Sequence, residues 1–330
     1  MRVVIAPDKF KGTATAPELA AALAEAVEAA GHHVIAIPMA DGGDGTLDAF
    51  GGANRATTVT GPLGEPIEAA WRLANGEAIV EMAAASGLVA AGGADANDPL
   101  DATTRGTGEL IMTAMSRGAK RIIVGLGGSA TTDGGLGAVE AIGSPARLAG
   151  VRVEVATDVT TRFVDAARVF GPQKGASAAQ VAFLEARLRG IAQKYRDEFG
   201  VDVENAPGSG AAGGLGGGLL ALGAEIVPGF DLIAEERGLV DAIAEADLVI
   251  TGEGQLDRES FAGKVVGGVA DLADEFGVRL VIVAGAIDPE HGGLPSGAQA
   301  VSLSDRFGLD AAMADPCRLA AHVVGELLGE

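Results

Sequence analysis

Short apolar runs alternate with longer stretches of helical period along this chain. Residues 2–6 (RVVIA) have the length and continuity of a buried strand. Thr15 and Glu18 then stand at capping-box spacing with Pro17 in the first turn, which predicts a helix running to about Ala30 and ending at Gly31. Residues 34–38 read as a second strand, and a short helix is expected from Thr46. A strand–helix–strand succession of this kind implies parallel strands joined by a right-handed crossover.

The pattern changes near residue 54. Three strand-like runs, 57–60, 67–73 and 78–82, are separated by the turn signals Gly61-Pro62-Leu63-Gly64 and Asn75-Gly76, as in an antiparallel meander. Helices are predicted over 106–117, 135–142 and 177–199, and strands over 121–126 and 151–156. Regular alternation then returns: helix 239–246, strand 248–251, helix 263–276, strands 280–284 and 300–303, and a closing helix 316–328. The simplest assembly is an α/β protein of two domains. Residues 1–53 and 237–330 form a Rossmann-like parallel-sheet domain, and residues 54–236 are inserted in it as a second α/β domain containing a mixed sheet. A length of 330 residues agrees with two domains.

Composition supports this layering. Hydrophobic residues make up 48% and aromatic residues only 4%, and there are 51 glycines, so small residues are available wherever helices lie close on a sheet. The net charge of −21 argues against nucleic acid or an anionic membrane as partner, but not against a small anion held by local cations. The lone cysteine, Cys317, excludes an internal disulfide and a multi-cysteine metal site. The N-terminal apolar run meets Asp8 and Lys9 at once, unlike a signal peptide, and the glycine-rich stretch 206–224 is a poor membrane span, so the cytoplasm is the expected location.

Five segments carry isolated polar or charged residues among small ones: 6–12 (APDKFKG), 41–46 (DGGDGT), 125–135 (GLGGSATTDGG), 208–214 (GSGAAGG) and 252–257 (GEGQLD). Most follow a predicted strand or open a helix, where α/β proteins bind ligands and where helix N–H groups receive anions. Four of the six lysines, Lys9, Lys11, Lys174 and Lys264, lie in or beside glycine loops, which suits cations held for phosphate or carboxylate, although helix-end charges would look the same. Asp8, Asp41, Asp44, Asp133, Asp158, Glu253 and Asp257 sit near strand ends. Each reads either as a Mg²⁺ or proton partner or as a cap and turn former. Residues 208–213 match G-x-G-x-x-G without a clear preceding strand, and residues 125–130 match G-x-G-x-x-A after one, so an NAD(P)-dependent oxidoreductase is a competing reading. No Walker A sequence occurs, and no histidine spacing suggests zinc.

Taken in order, these segments resemble the bacterial-type glycerate kinase family. The matching stretches are APDKFKG (6–12), PMADGGDGT (38–46), GPLGE (61–65), EMAAASGL (81–88), TTRGTGEL (103–110), GLGGSATTDGG (125–135), FGPQKGA (170–176), PGSGAAGGL (207–215), ITGEGQLD (250–257) and GKVVGGVA (263–270). Colinearity over nearly the whole chain makes this more specific than any one motif.

The resemblance implies an active-site cleft between the two domains, MgATP as donor, D-glycerate as acceptor and phosphoglycerate as product, 2-phosphoglycerate rather than 3-phosphoglycerate. It puts Lys9, Gly127, Gly128, Ser129, Gly208, Gly210 and Gly213 against the nucleotide. Arg105, Lys174 and Lys264 would face the glycerate carboxylate or the transferring phosphate. Asp8, Lys11, Asp133 and Asp257 are its catalytic candidates, and Asp44 and Glu253 its metal candidates. A homodimer is allowed. The sequence departs from the family pattern in being short after Gly143, in running Asp158-Val159-Thr160 into Thr161-Arg162-Phe163 where Asn-Pro-Leu is usual, and in having Gln255 for Arg and Val266 for Pro. The shortened segment leaves room for a second alternative, a non-catalytic glycerate-binding sensor.

Overall fold

The structure is a computed structural model that describes residues 1–261 and 263–329. In chain order its strands are β1 (Arg2–Ile5), β2 (His33–Ala36), β3 (Arg55–Thr60), β4 (Pro66–Ala74), β5 (Glu77–Glu81) and β6 (Arg121–Gly125). They continue with β7 (Arg152–Ala156), β8 (Glu225–Val227), β9 (Leu248–Leu256), β10 (Arg279–Ile287) and β11 (Gln299–Ser302). The chain forms two compact units with one sheet each. The first holds Met1–Asp41, Asp48–Phe50 and the chain from Phe230 onward; the second holds Gly42–Leu47 and Gly51–Gly229.

The sheet of the first unit is parallel throughout, in the order β2-β1-β9-β10-β11. Successive side chains of β1 point to opposite faces, and both faces are covered. Val3 and Ile5 pack with Ile250 and Val283 under Leu19, Leu23 and Val27 of the Ala16–Ala29 helix and Val323 of the Pro316–Gly329 helix. Val4, Val249 and Ile282 pack on the other side with Ile233, Val265 and Val269. The Ala16–Ala29 helix begins as its sequence predicts. The Glu18 carboxylate accepts the Thr15 N–H at 2.9 Å, and the Thr15 hydroxyl oxygen accepts the Glu18 N–H at 3.3 Å. With strands ordered 2-1-3-4-5 within the unit, the connections leave in opposite directions from β1 and β9. The C-terminal ends of that pair are therefore the topological switch point.

Two of these strands outrun the sequence pattern. β9 continues through Gly252-Glu253-Gly254-Gln255-Leu256, where a loop was expected, and stays paired with β10 as far as Leu256 opposite Ile287. Glycine erases the alternation that marks a strand, yet it is what permits this one: a Cβ on Gly285 would lie 2.5 Å from the Gly254 carbonyl oxygen.

The second sheet runs β3-β4-β5-β6-β7-β8, antiparallel across its first three strands and parallel across the rest. β4 and β5 are joined by Asn75 and Gly76, both at positive φ (52° and 81°), as a tight hairpin turn requires. Trp71 is buried in the core and donates its indole N–H to the Thr57 hydroxyl at 2.9 Å. The short strand β8 and the Gly229–Glu236 helix have no counterpart in the sequence reading, because three residues are too few for a periodic signal. After Gly143 the chain reaches β7 through a single turn of 3-10 helix, Pro145–Leu148, so the shortened segment is closed compactly. No helix among the described residues is long and apolar enough to cross a membrane.

The Ala211–Ala221 helix contains three consecutive left-handed residues, Ala212, Gly213 and Gly214. A Cβ on Gly213 would overlap the carbonyl of Thr131, and its φ of +69° already disfavours any other residue. Gly213→Ala therefore lowers the melting temperature of the protein by several degrees, whereas Ala212→Gly, which relieves a left-handed alanine, does not lower it. Scanning calorimetry of the two variants checks both signs.

Candidate functional site

The candidate residues of the first unit gather at the switch point. Beyond β1 the chain runs alongside the extended end of β9: the Ala6 N–H donates to the Ile250 carbonyl and the Asp8 N–H to the Gly252 carbonyl, each at 2.8 Å. Gly254 permits this approach, since a Cβ there would stand 3.1 Å from the Lys11 nitrogen. Asp8, Lys9, Lys11 and Glu253 are thereby brought together. Asp257 follows at the end of β9, and Lys264 precedes the Val265–Glu275 helix.

Asp8 is buried, and its Oδ1 accepts the Lys9 N–H at 2.7 Å and the Lys9 ammonium at 3.4 Å. Burial raises its pKa to about 6; Lys9 opposes the rise and Asp41 reinforces it. Burial likewise raises Glu253 to about 7, with the Ser260 hydroxyl and Lys264 opposing and Asp8 and Asp257 adding to the shift. Its Oε1 is buried without a hydrogen-bond partner. Asp257 shapes the turn that follows, its Oδ1 accepting the N–H groups of Glu259 and Ser260 at 2.8 and 3.1 Å. Burial works against the charge of Lys264, but Glu259 at 3.0 Å, with Asp257 and Asp41, lifts it above the usual lysine value. The cluster thus offers two carboxylates able to take up a proton near neutrality, among cations that an anion can meet.

In the second unit, the chain leaving β6 forms the 125–135 loop. A Cβ on Gly127 would be 2.5 Å from the Asp44 nitrogen, and one on Gly128 would be 2.6 Å from Asp44 Oδ1, so both glycines are required for Asp44 to lie against this turn. The Leu126 N–H donates to the Gly42 carbonyl and the Leu88 N–H to the Gly128 carbonyl, both at 2.8 Å. Gly128 is exposed, and Gly127 and Ser129 are half-buried.

Past Ser129 the loop turns inward. Asp133 is buried and accepts four hydrogen bonds: from the Thr104 N–H (2.9 Å), the Thr104 hydroxyl (2.8 Å), the Gly135 N–H (3.0 Å) and the Gly137 N–H (3.1 Å). It closes the starts of the Arg105–Ser116 and Leu136–Ile142 helices. Lys174, also buried, donates from Nζ to the Thr131 carbonyl at 2.6 Å and stands 5.9 Å from the centroid of the Phe170 ring. Burial lowers its pKa to about 7, and Asp133 pulls it back up. Tyr195, buried in the core, donates its hydroxyl to the Gly134 carbonyl at 3.0 Å, and burial holds that hydroxyl well above its usual pKa.

Gly208, Gly210 and Gly213 are buried as well. A Cβ on Gly208 would be 2.9 Å from a methyl of Ile226, and one on Gly210 or Gly213 would overlap the carbonyl of Arg162 or Thr131. As the fold stands, these three glycines admit neighbouring protein. Arg105 is exposed and pairs with Glu109 at 3.1 Å. Asp158 accepts the Gly229 N–H at 2.8 Å, at the start of the Gly229–Glu236 helix. Sequence reasoning missed Asn97, whose side-chain amide donates to the carbonyls of Ala130 (3.0 Å) and Lys174 (2.9 Å). No local signal could have found it, because those partners lie 33 and 77 residues away.

The dinucleotide fingerprint loses its context. After residues 125–130 the next helix opens only at Leu136, and residues 208–213 follow a turn, so neither match is a strand leading straight into a helix. Among the described residues no three His, Cys, Asp or Glu side chains gather as a metal-holding group.

The family model described as "Glycerate kinase family" matches residues 3–147 and 143–327, and its two pieces meet where the sequence is short after Gly143. The glycerate 2-kinase of Escherichia coli K12 is 40% identical, over 88% of this chain and 87% of the relative. The glycerate kinase of Halalkalibacterium halodurans is 38% identical, over 86% and 85%. A solved structure of a candidate glycerate kinase 2 from Salmonella typhimurium LT2 superposes with a TM-score of 0.81 at 34% identity, covering 99% of this chain and 98% of that one.

The raised carboxylates have a cost that can be measured. A folded-state pKa above the unfolded one contributes stability below the unfolded value and loses it as pH rises through about 6 for Asp8 and about 7 for Glu253. Glu253→Gln therefore raises the melting temperature at pH 8 relative to the parent, and the gain shrinks as the pH is lowered to 5. Thermal melts across that range check the sign.

Proposed function

The chain belongs to the glycerate kinase family, and on that premise we propose that it transfers the γ-phosphate of MgATP to D-glycerate, giving 2-phosphoglycerate. The observation that carries this reading is a family match over nearly all of a chain whose strand-end loops hold paired carboxylates and lysines. The E. coli relative, a glycerate 2-kinase, supports the 2-hydroxyl as acceptor. The cytoplasm, which supplies ATP, is the compartment this activity calls for.

The roles follow from exposure and bonding. The Gly127-Gly128-Ser129 turn, exposed at Gly128 and carrying a hydroxyl at Ser129, suits phosphate oxygens. Mg²⁺ usually takes one or two carboxylates together with phosphate oxygens, and Asp44 beside Gly128 suits the ion that travels with the nucleotide. Exposed Lys11 and half-buried Lys9 and Lys264 suit the charge of a phosphate or carboxylate, and exposed Arg105 suits glycerate's carboxylate. Glu253 is assigned to the acceptor hydroxyl: its buried, unpartnered Oε1 can accept that proton, and a pKa of about 7 leaves it partly ionised at neutral pH. Asp8, the adjoining raised carboxylate, helps keep the proton within the cluster. Asp133 and Asp257, already engaged by backbone N–H groups, shape the loops.

Purified protein given MgATP and D-glycerate is expected to form ADP together with a phosphate ester whose ³¹P–¹H coupling places it on C2. No ADP above the ATP-only control overturns the reading, and coupling to the C3 protons overturns the regiochemistry alone. Glu253→Gln is expected to lower kcat by about 100-fold, and parent kcat should rise with pH through about 7 as Glu253 ionises. Steady-state rates from pH 5.5 to 8.5 check both.

A further inference from the structure

We propose that Lys174 is a positioning residue: donating to the Thr131 carbonyl from inside the second unit, its Nζ holds the Gly127-Gly128-Ser129 turn in the shape that receives phosphate. The inference rests on the kinase reading and departs from the substrate contact that the family resemblance implies for this lysine.

Lys174 is 3% exposed, so a substrate carboxylate at the surface does not meet its ammonium. A buried charge is costly unless it is paired or well hydrogen-bonded. Among the described residues, Nζ has the Thr131 carbonyl as its hydrogen-bond acceptor and no carboxylate within ion-pair distance; the Phe170 ring adds a weak cation–π contact. The arrangement makes sense if the 2.6 Å bond to Thr131 does a job that a side chain of the same size without a donor would not.

That carbonyl has two close neighbours: Nζ donates to it, and the backbone at Gly213 approaches so closely that a Cβ would overlap it. Its orientation fixes the peptide plane two residues after Ser129. The Asn97 amide joins the system by bonding the carbonyls of both Ala130 and Lys174, so the tether and the loop move together. Downstream, the loop is pinned independently by Asp133 and by Tyr195 on Gly134. Removing the lysine should therefore loosen the turn before Thr131 and leave the helix starts intact.

The test is Lys174→Met, which keeps the length of the side chain and removes its hydrogen-bond donor. In the substrate-free protein, amide hydrogen exchange over residues 126–132 is expected to speed up about tenfold or more, while exchange over 135–142 stays at the parent rate. In steady state, kcat is expected to fall at least about tenfold and KM for MgATP to rise, with KM for D-glycerate within about threefold of the parent, as for a misplaced rather than a missing contact. A large rise in KM for D-glycerate with kcat preserved would mean that Lys174 holds the substrate, and parent-like exchange would mean that it only fills space; either overturns the proposal. If Lys174→Met does not fold, Asn97→Ser, which cuts the linked bonds, is read by the same two measurements, with the same outcomes deciding. If the parent itself forms no ADP from D-glycerate, the kinase reading fails, whereas the exchange comparison still decides whether Lys174 holds the loop.

Discussion

The second unit is organised around one buried carboxylate. Asp133 gathers four donors, two from Thr104 and one each from Gly135 and Gly137, and so ties the starts of two helices to the end of one loop. A carboxylate in such a place is stable only because every donor is aimed at it. Thr104 extends the arrangement, since its hydroxyl oxygen also accepts the Ala138 N–H at 3.0 Å. With its far end anchored, the 125–135 loop has little freedom left. Asn97, Lys174 and Tyr195 take the carbonyls of Ala130, Thr131 and Gly134 from within, and what remains outward is Gly127, Gly128 and Ser129.

The first unit treats its carboxylates in the opposite way. Asp133 is saturated with donors, whereas Glu253 keeps a buried oxygen without a partner, and both it and Asp8 are pushed toward neutrality by burial. A fold optimised for stability alone would satisfy or expose these groups. Leaving them poised costs free energy at neutral pH, and that is the usual mark of a group kept for chemistry. The contrast separates the carboxylates that build the protein from those that serve a reactant, a distinction invisible when Asp8, Asp133, Glu253 and Asp257 are four acidic letters beside glycines. The backbone supports it as well: Gly252, Gly254 and Gly285 let β9 and β10 extend past the rest of the sheet, and this carries Glu253 to the switch point beside Asp8.

Much of this was legible beforehand. The capping box at Thr15, the Asn75-Gly76 hairpin, the meander and the returning strand–helix alternation are local patterns, and each formed where its residues stand. So was the kinship with glycerate kinases, carried by ten short segments in one order and shown by the family match over residues 3–147 and 143–327. Residues 252–256 looked like a loop because glycine erases the alternation, and are a strand; β8 and its following helix passed unnoticed, β8 because three residues carry no period.

What the sequence determined by itself, then, was most of the elements, the α/β class and the family, since periodicity, caps and turn residues act over a few positions. Tertiary structure alone decided what each glycine faces: Gly128 is exposed with the Asp44 carboxylate against it, while Gly210 and Gly213 press on the carbonyls of Arg162 and Thr131. It alone turned Lys174 inward and joined Asn97 to a loop 33 residues away. The reason is physical. Burial and hydrogen-bond partnership belong to pairs of atoms brought together by packing, and no residue carries its distant partner's identity in its own neighbourhood along the chain.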